Sequence, residues 1–262
     1  MSVTKMTVLV VGATGSIGRL VVAEALRQGQ AVRALVRDLA RARGLPQEAQ
    51  FAVGDLMQAE TLTDAVKGIA AVVFTHGAGG GGKAAAEQVD YGAVRNVLRA
   101  LAGRPVRIAL MTAIGVTNRE GAYNRSTRIH DWKRRGERLV RASGLPYTIV
   151  RPGWFDYNAP DQHRLVFLQG DTRHAGDPSD GVIARQQIAE VLVHSLNSEA
   201  ARARTFELVA ERGPAQKNLD ALFAALDADT AGEIDAVRDT DNMPLSAEPA
   251  QVRKDLDELS AR

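Results

Sequence analysis

The sequence predicts an α/β protein built on a doubly wound parallel sheet, with a small C-terminal cap. Three observations carry this prediction. Short β-branched runs alternate with helix-like stretches through residues 1–155. The runs are mostly apolar throughout, without the alternation of strands that face water on one side. A glycine-rich turn, residues 12–18, stands between the first run and the first helix.

Strands are predicted at 7–11, 31–36, 50–53, 70–75, 106–112 and 147–151, with helices at 16–28, 59–67, 88–102 and 131–142. Such alternation calls for right-handed crossovers and helices on both faces of the sheet. The helix at 131–142 carries Trp132, Gly136, Leu139 and Val140 as a one-sided stripe and stops at Ser143-Gly144. Gly79 to Gly82 offer nothing to pack and read as a mobile loop. Beyond Arg151-Pro152-Gly153 the pattern loosens into a Pro-, Asp- and His-rich loop, a strand at 165–168, a helix at 186–197, a strand at 205–209 and a helix near 219–226. Residues 227–250 read as irregular, and Val252, Leu256 and Leu259 then suit one short docking helix. Residues 1–155 are expected to form the core. Residues 156–262 should complete it and form a small substrate-side cap within a single domain.

Composition excludes several function classes. The 33 Lys and Arg nearly balance 31 Asp and Glu, and no basic run is interleaved with aromatics, so nucleic acid is not the expected partner. The absence of cysteine excludes disulfides, thiolate nucleophiles and cysteine-ligated metals. The five histidines and the carboxylates show no metal-ligand spacing, so no metal site is expected. No apolar stretch approaches the roughly 18 residues of a membrane span. Met1 to Lys5 lead straight into a strand and leave no room for a signal peptide, so a soluble, cytoplasmic protein is expected.

The turn Gly12-Ala13-Thr14-Gly15-Ser16-Ile17-Gly18 follows an apolar strand and opens a helix. In that context the first glycine permits the tight turn, the second lets backbone approach a diphosphate, and the third lets helix pack on strand. The helix N-terminus then presents free amides and partial positive charge, with Thr14 and Ser16 adding hydroxyls. The turn points to NAD(P) on a Rossmann-type core. Its G-x-x-G-x-x-G spacing differs from the G-x-G-x-x-G of typical dehydrogenases.

The second strand ends in Arg37, with Asp38 next and Arg41 and Arg43 close behind. A guanidinium matches the 2′-phosphate of NADP bidentately, whereas an acid there would hold the ribose hydroxyls of NAD. NADP(H) is therefore the expected cofactor, and Asp38 keeps NAD(H) as the alternative. Gly54-Asp55-Leu56 follows the third strand, where Asp55 suits either the adenine amino group or a helix cap. Thr75-His76-Gly77 ends the fourth strand on the expected ribose side, and His76 is either a proton donor there or simply an exposed histidine.

Together these residues resemble the short-chain dehydrogenase/reductase superfamily, in its atypical NmrA-like, NAD(P)-binding branch. The likeness covers about residues 6–210. Its markers include the glycine turn, Val36-Arg37, Gly54-Asp55, Gln88-Val89-Asp90-Tyr91, and Arg185 to Ala189. The most specific stretch runs from Trp132-Lys133-Arg134 to Ser143-Gly144-Leu145-Pro146-Tyr147 and on to Arg151-Pro152-Gly153. The resemblance implies that Lys133 holds the nicotinamide ribose, that Thr112 stands where a Ser or Thr positions the substrate carbonyl, and that Pro152 and Gly153 bring backbone beside the carboxamide. The family's proton-donating tyrosine lies four residues before the lysine, and here that position is Ile129. Tyr123, His130, Asp131 and Tyr157 are the nearby replacements, and Trp154 and Phe155 suit either an apolar wall of the substrate cleft or the core. Two functions follow. One is an oxidoreductase acting on a small, fairly apolar carbonyl compound. The other is a non-catalytic, NAD(P)-sensing regulator with a protein partner. A monomer or a homodimer is compatible with either.

Overall fold

A computed structural model describes residues 6–261; Met1 to Lys5, read above as leaving no room for a signal peptide, lie outside the described residues. Six parallel strands form the heart of the sheet: β1 (Thr7–Val11), β2 (Ala31–Val36), β3 (Gln50–Val53), β4 (Ala71–Phe74), β5 (Arg107–Met111) and β6 (Tyr147–Pro152). After β7 (Trp154–Phe155), β8 (Arg164–Leu168) and β9 (Val182–Ile183), the strand β10 (Arg204–Glu211) joins the edge of β6. The strand order is β3-β2-β1-β4-β5-β6-β10-β9-β7, with β8 antiparallel on β10. Strand order reverses between β1 and β4, which pair directly through Val10 and Val73. The doubly wound parallel sheet is thus present, and ligands in such sheets bind beyond the carboxyl ends at this reversal.

The strands are continuously apolar because both faces are covered. On one face Val8 and Val10 pack against Val21 and Val22 of α1 (Ser16–Arg27) and, farther along, Ile188 and Leu192 of α6 (Arg185–Ser195). The other face buries Leu9 and Val11 under two helices. These are α3 (Gly92–Leu101), with Val94, Val97 and Leu98, and α5 (Ile129–Ala142), with Leu139 and Val140. The short helices α2 (Gly82–Ala85), α4 (Ala122–Thr127) and α7 (Asp220–Ala224) lie in the connections, and α8 (Ala250–Ser260) docks Val252, Leu256 and Leu259 on the second layer.

Two elements differ from their sequence reading. The helix predicted at 59–67 is only a 3₁₀ turn, Ala59–Leu62. Thr61 and Thr63 turn their hydroxyls onto the carbonyls of Gln58 and Glu60, competing with helical bonding, while Leu62, Ala65 and Val66 still reach the core. The helix predicted from 88 begins instead at Gly82 and passes through a π-helical turn, Ala86–Tyr91, before α3.

The irregular tail is fastened largely by charge, beside the apolar contacts of Ile234 and Met243. Arg134, Arg135, Arg138 and Arg141 form a buried face of α5, and residues 227–248 lie over it. Arg138 bonds Asp235 at 2.6 Å, Arg135 bonds Glu248 at 2.5 Å, and Arg141 reaches Asp229 at 3.3 Å. Arg151 on β6 is fully buried and holds Glu137 of α5 at 2.6 Å and Asp239 of the tail at 2.7 Å. Removing one partner of a buried pair leaves an uncompensated charge, at a cost of roughly 3–5 kcal/mol. Arg151→Ala should therefore lower unfolding stability by about that amount in urea titration, since Glu137 and Asp239 lose their shared cation. A loss under about 1 kcal/mol, the scale of an exposed pair, would show that the network is not a fastening.

Candidate active site at the strand reversal

The glycine turn is built by contact between backbones. Gly12 has φ +83°, and a Cβ there would stand 2.8 Å from the backbone nitrogen of His76. A Cβ on Gly18 would lie 2.1 Å from the carbonyl oxygen of Gly12, so only glycine lets α1 approach β1 this closely. Gly15 caps α1 with no side-chain hydrogen bond, leaving its first amides open towards the strand ends. Ile17 is buried and anchors the first turn to the core. The Thr14 carbonyl accepts from Arg19 Nε at 3.0 Å, and Ser16 Oγ accepts from Arg185 Nε at 3.1 Å. Arg185 also pairs with Asp156 and lies over the ring of Phe155. This guanidinium stands beside the helix N-terminus; from the sequence Arg185 is a family marker only, and no local pattern reports its contact with Ser16, 169 residues away.

At the β2 end, Arg37 is exposed and has no hydrogen bond or ion pair among the described residues. Asp38 is occupied differently, because its Oδ1 accepts from the Ala40 amide at 2.9 Å and caps the turn Leu39–Ala42. Asp55 likewise accepts from the Met57 amide at 2.9 Å, so one of its oxygens is a cap. Leu56 is half-buried beside it, with its carbonyl accepting from Asn96 at 2.7 Å.

Beyond β4, Thr75 donates its hydroxyl to the Val11 carbonyl at 3.0 Å, tying the end of β4 to the glycine turn. His76 is buried rather than exposed, and burial, helped by the charge of Lys133, pushes its pKa down to about 3. It is neutral at physiological pH and not a proton donor of the imidazolium kind. Lys133 Nζ donates to Asp90 Oδ1 at 2.7 Å, and a Cβ on Gly77 would lie 3.8 Å from that nitrogen. Asp90 sits in the π-helical turn, a feature concentrated at functional sites. Its other oxygen and His76 Nδ1 are both buried without a hydrogen-bond partner. Asp90 was quoted from the sequence only as a family marker. Its pairing with Lys133 spans 43 residues, and no local pattern reports it.

Thr112 stands apart from this group. Its hydroxyl is buried and donates to Glu137 Oε1 at 2.7 Å, inside the charge network, so it does not reach towards a substrate. Ile129, at the family's tyrosine position, is 5% exposed and packs inward. Among the proposed replacements, Asp131 is buried on Arg119 and Asn124, whose hydrogen bonds hold it below the usual range despite burial. Tyr157 is exposed and packs edge-on against Trp154.

Tyr123 and His130 instead line a cleft of about 490 Å³ beyond the ends of β5 and β6. Pro152, Gly153, Trp154 and Phe155 form its opposite side, with Ile114 between and Arg173 farther along. Gly153 allows this wall to form, because a Cβ there would meet the Gly181 carbonyl oxygen at 2.4 Å. His130 is driven down to about 4 by burial, and Tyr123 is raised by partial burial and by the charge of Asp90. At neutral pH the imidazole is therefore uncharged and the phenol keeps its proton.

These residues fit a dinucleotide. A cradle closed to any Cβ, open helix amides and unpartnered polar atoms beyond β4 lie along one line of strand ends. The fold and the turn define a dinucleotide-binding protein of the atypical short-chain dehydrogenase/reductase type. Residues 12–199 match the family described as NAD(P)H-binding, and the chain belongs to it. An uncharacterized chloroplast protein of Arabidopsis thaliana is 30% identical over 83% of this chain and 74% of its own. Sanguinarine reductase of Eschscholzia californica is 27% identical over 84% of this chain and 96% of its own. Among solved structures, an anaerobilin reductase from Escherichia coli O157:H7 superimposes with a TM-score of 0.61 at 22% identity, covering 80% of this chain and all of that one. Among the described residues no helix is long and apolar enough to cross a membrane.

Two outcomes test this geometry. Gly18→Ala must push α1 off β1, and NADPH binding followed by fluorescence should be lost; unchanged affinity would remove the turn from the site. The histidines set a pH dependence. Their folded pKa values lie below the 6.5 of a free imidazole, so between pH 6.5 and about 4 the unfolded chain takes up protons that the folded chain refuses. Their contribution therefore opposes folding increasingly as pH falls through that window. His76→Gln should flatten the fall in urea-derived stability between pH 7 and 4.5, and a slope equal to wild type would mean that His76 is not held neutral.

Proposed function

We propose that the protein is an NADPH-dependent reductase of a small, largely apolar carbonyl or conjugated ring compound. The observation that carries this reading is the cleft walled by Ile114, Tyr123, Trp154 and Phe155, beyond the carboxyl ends of β5 and β6 and at the same edge of the parallel sheet as the glycine turn after β1. Flat aromatic walls suit a flat substrate. Two of the similar proteins are named as reductases, which supports the reaction class.

When bound, the reduced nicotinamide supplies a hydride to the substrate. Around it the chain's own groups have separable roles. The open amides of α1 and the Arg185 guanidinium would face the diphosphate, and Arg37, without a protein partner among the described residues, would take the 2′-phosphate, while one oxygen of Asp38 is taken by its cap. Lys133, neutralised by Asp90, holds ribose hydroxyls rather than activating an acid. Tyr123 retains its proton and lines the cleft, so it can donate to the substrate oxygen as the hydride arrives at carbon. The burial of Ile129 favours a second reading, an NAD(P)-sensing regulator without turnover.

Arg37→Ala should weaken NADPH about ten- to a hundredfold, the worth of a charge-assisted contact, and leave NADH unchanged. Equal loss for both cofactors, or none, would remove the NADP preference. With a panel of quinones and conjugated carbonyls, turnover should be abolished by Lys133→Ala and reduced at least about tenfold in kcat by Tyr123→Phe, with the KM for NADPH unmoved. Tight NADPH binding with no turnover on any panel member would decide for the regulator.

A further inference from the structure

The cleft contains one cation without an acidic partner. Arg173 lines it and is half-buried, and among the described residues it pairs with no carboxylate. Its one hydrogen bond is from Nη1 to the Asp180 carbonyl at 3.2 Å. That nitrogen would lie 3.4 Å from a Cβ on Gly181, whose carbonyl accepts from the Trp154 amide at 2.9 Å. The guanidinium therefore rests against the backbone that supports the aromatic wall.

The surrounding groups do not satisfy its charge. Asp180 is the only carboxylate lining the cleft, and its two oxygens are taken by the amides of Ala175 and Gly176 at 2.7 and 2.8 Å. Asp171, two residues before Arg173, is buried and turned onto Gly115 and Thr117, and Asp177 accepts from the Ser179 amide at 2.8 Å. His130 is uncharged at neutral pH, so it neither repels nor replaces the guanidinium. The buried arginines of α5 and β6, Arg134, Arg135, Arg138, Arg141 and Arg151, each hold at least one acid, whereas the half-buried Arg173 holds none among the described residues. Unlike the half-buried Arg19, Arg33, Arg204 and Arg253, which also hold none, it lines the cleft. An arginine with no acid beside it, lining a cleft whose walls include Ile114, Trp154 and Phe155, is arranged for an anion that arrives with the ligand, because planar guanidinium pairs bidentately with carboxylate.

We propose that the substrate is an aromatic or conjugated compound bearing a carboxylate, and that Arg173 is its anchor. The inference rests on the reading of this cleft as the substrate site. The aromatic walls take the ring, and Arg173 fixes one end of it, so the reducible part is directed towards the ends of β5 and β6. Arg173 is a binding and orienting residue and takes no part in proton transfer.

The test uses a matched pair of probes, 2-naphthoate and 2-naphthamide, titrated by calorimetry into the full chain saturated with NADP⁺. Wild type should bind the carboxylate at least tenfold more tightly than the amide. Raising NaCl to about 0.5 M should weaken naphthoate and leave naphthamide unchanged, because screening acts only on the charged ligand. Arg173→Gln, which keeps a donor for the Asp180 carbonyl, should abolish the preference, and Arg173→Lys should retain part of it. NADPH affinity should be the same in all three proteins. Equal binding of the two probes by wild type, binding of neither probe, or a preference that survives Arg173→Gln would overturn the proposal. Failure of NADPH itself to bind would instead overturn the underlying reading of the site. The salt comparison needs only the wild-type protein, so the test stands even if a variant fails to fold.

Discussion

The approach of α1 to β1 is the constraint from which the rest follows. Gly18 and Gly12 touch through backbone atoms alone, at a separation no side chain permits. That contact brings the first amides of α1 over the strand reversal, and the Thr75–Val11 hydrogen bond brings the end of β4 alongside. Gly77 follows the end of β4, and there Lys133 of α5 and Asp90 of the π-helical turn meet it. A helix pushed outward by one methyl group would turn its partial charge away from the place where diphosphate is held.

The opposite end of the site is organised by charge. Arg151, Glu137 and Asp239 link β6, α5 and the tail, and Glu207 on β10 joins them through Arg151 at 3.3 Å. Burial pushes Glu207 up to about 7, with Arg151 only partly offsetting it. From this cluster a chain of hydrogen bonds runs outward. Glu207 accepts from the Asp171 amide, and the Asp171 carboxylate holds the amides of Gly115 and Thr117 at the cleft. Thr112 belongs to the inner part of this system, which explains why a hydroxyl at the family's substrate-positioning location faces the protein interior.

The chemistry of the site departs from its superfamily in a coherent way. Without a tyrosine beside Lys133, the lysine has no phenol to activate, and Asp90 neutralises it. Tyr123 enters from α4 instead, with a phenol whose pKa is raised rather than lowered. In the proposed reaction a phenol of this kind would serve substrates whose developing oxygen charge is spread over a conjugated system, since these demand less of the proton donor than an isolated ketone does.

Local pattern made much of this legible. The six parallel strands of the core follow from uninterrupted apolar runs, and β1, β2 and β3 have the ends read from sequence. The glycine turn was readable because its spacing and its place between strand and helix are themselves local. Arg37 and Asp38 are neighbours, so their competition is visible in the sequence, although only the fold shows that one oxygen of Asp38 caps the turn after β2 while Arg37 has no partner among the described residues. Tertiary structure alone decided the remainder. The arginines of α5 look like a solvated stripe until the tail covers them with acids about a hundred residues away. Only packing turns Thr112 onto Glu137 of α5, and only packing separates Tyr123 and His130, which line the cleft, from Asp131 and Tyr157, which do not. Arg173 stands out only once the fold shows the carboxylates of Asp171 and Asp180 turned onto backbone amides instead of onto it. Periodicity and turn chemistry act over a few residues, whereas pairing of buried charge and enclosure of a cleft depend on distances that exist only once the chain has closed on itself.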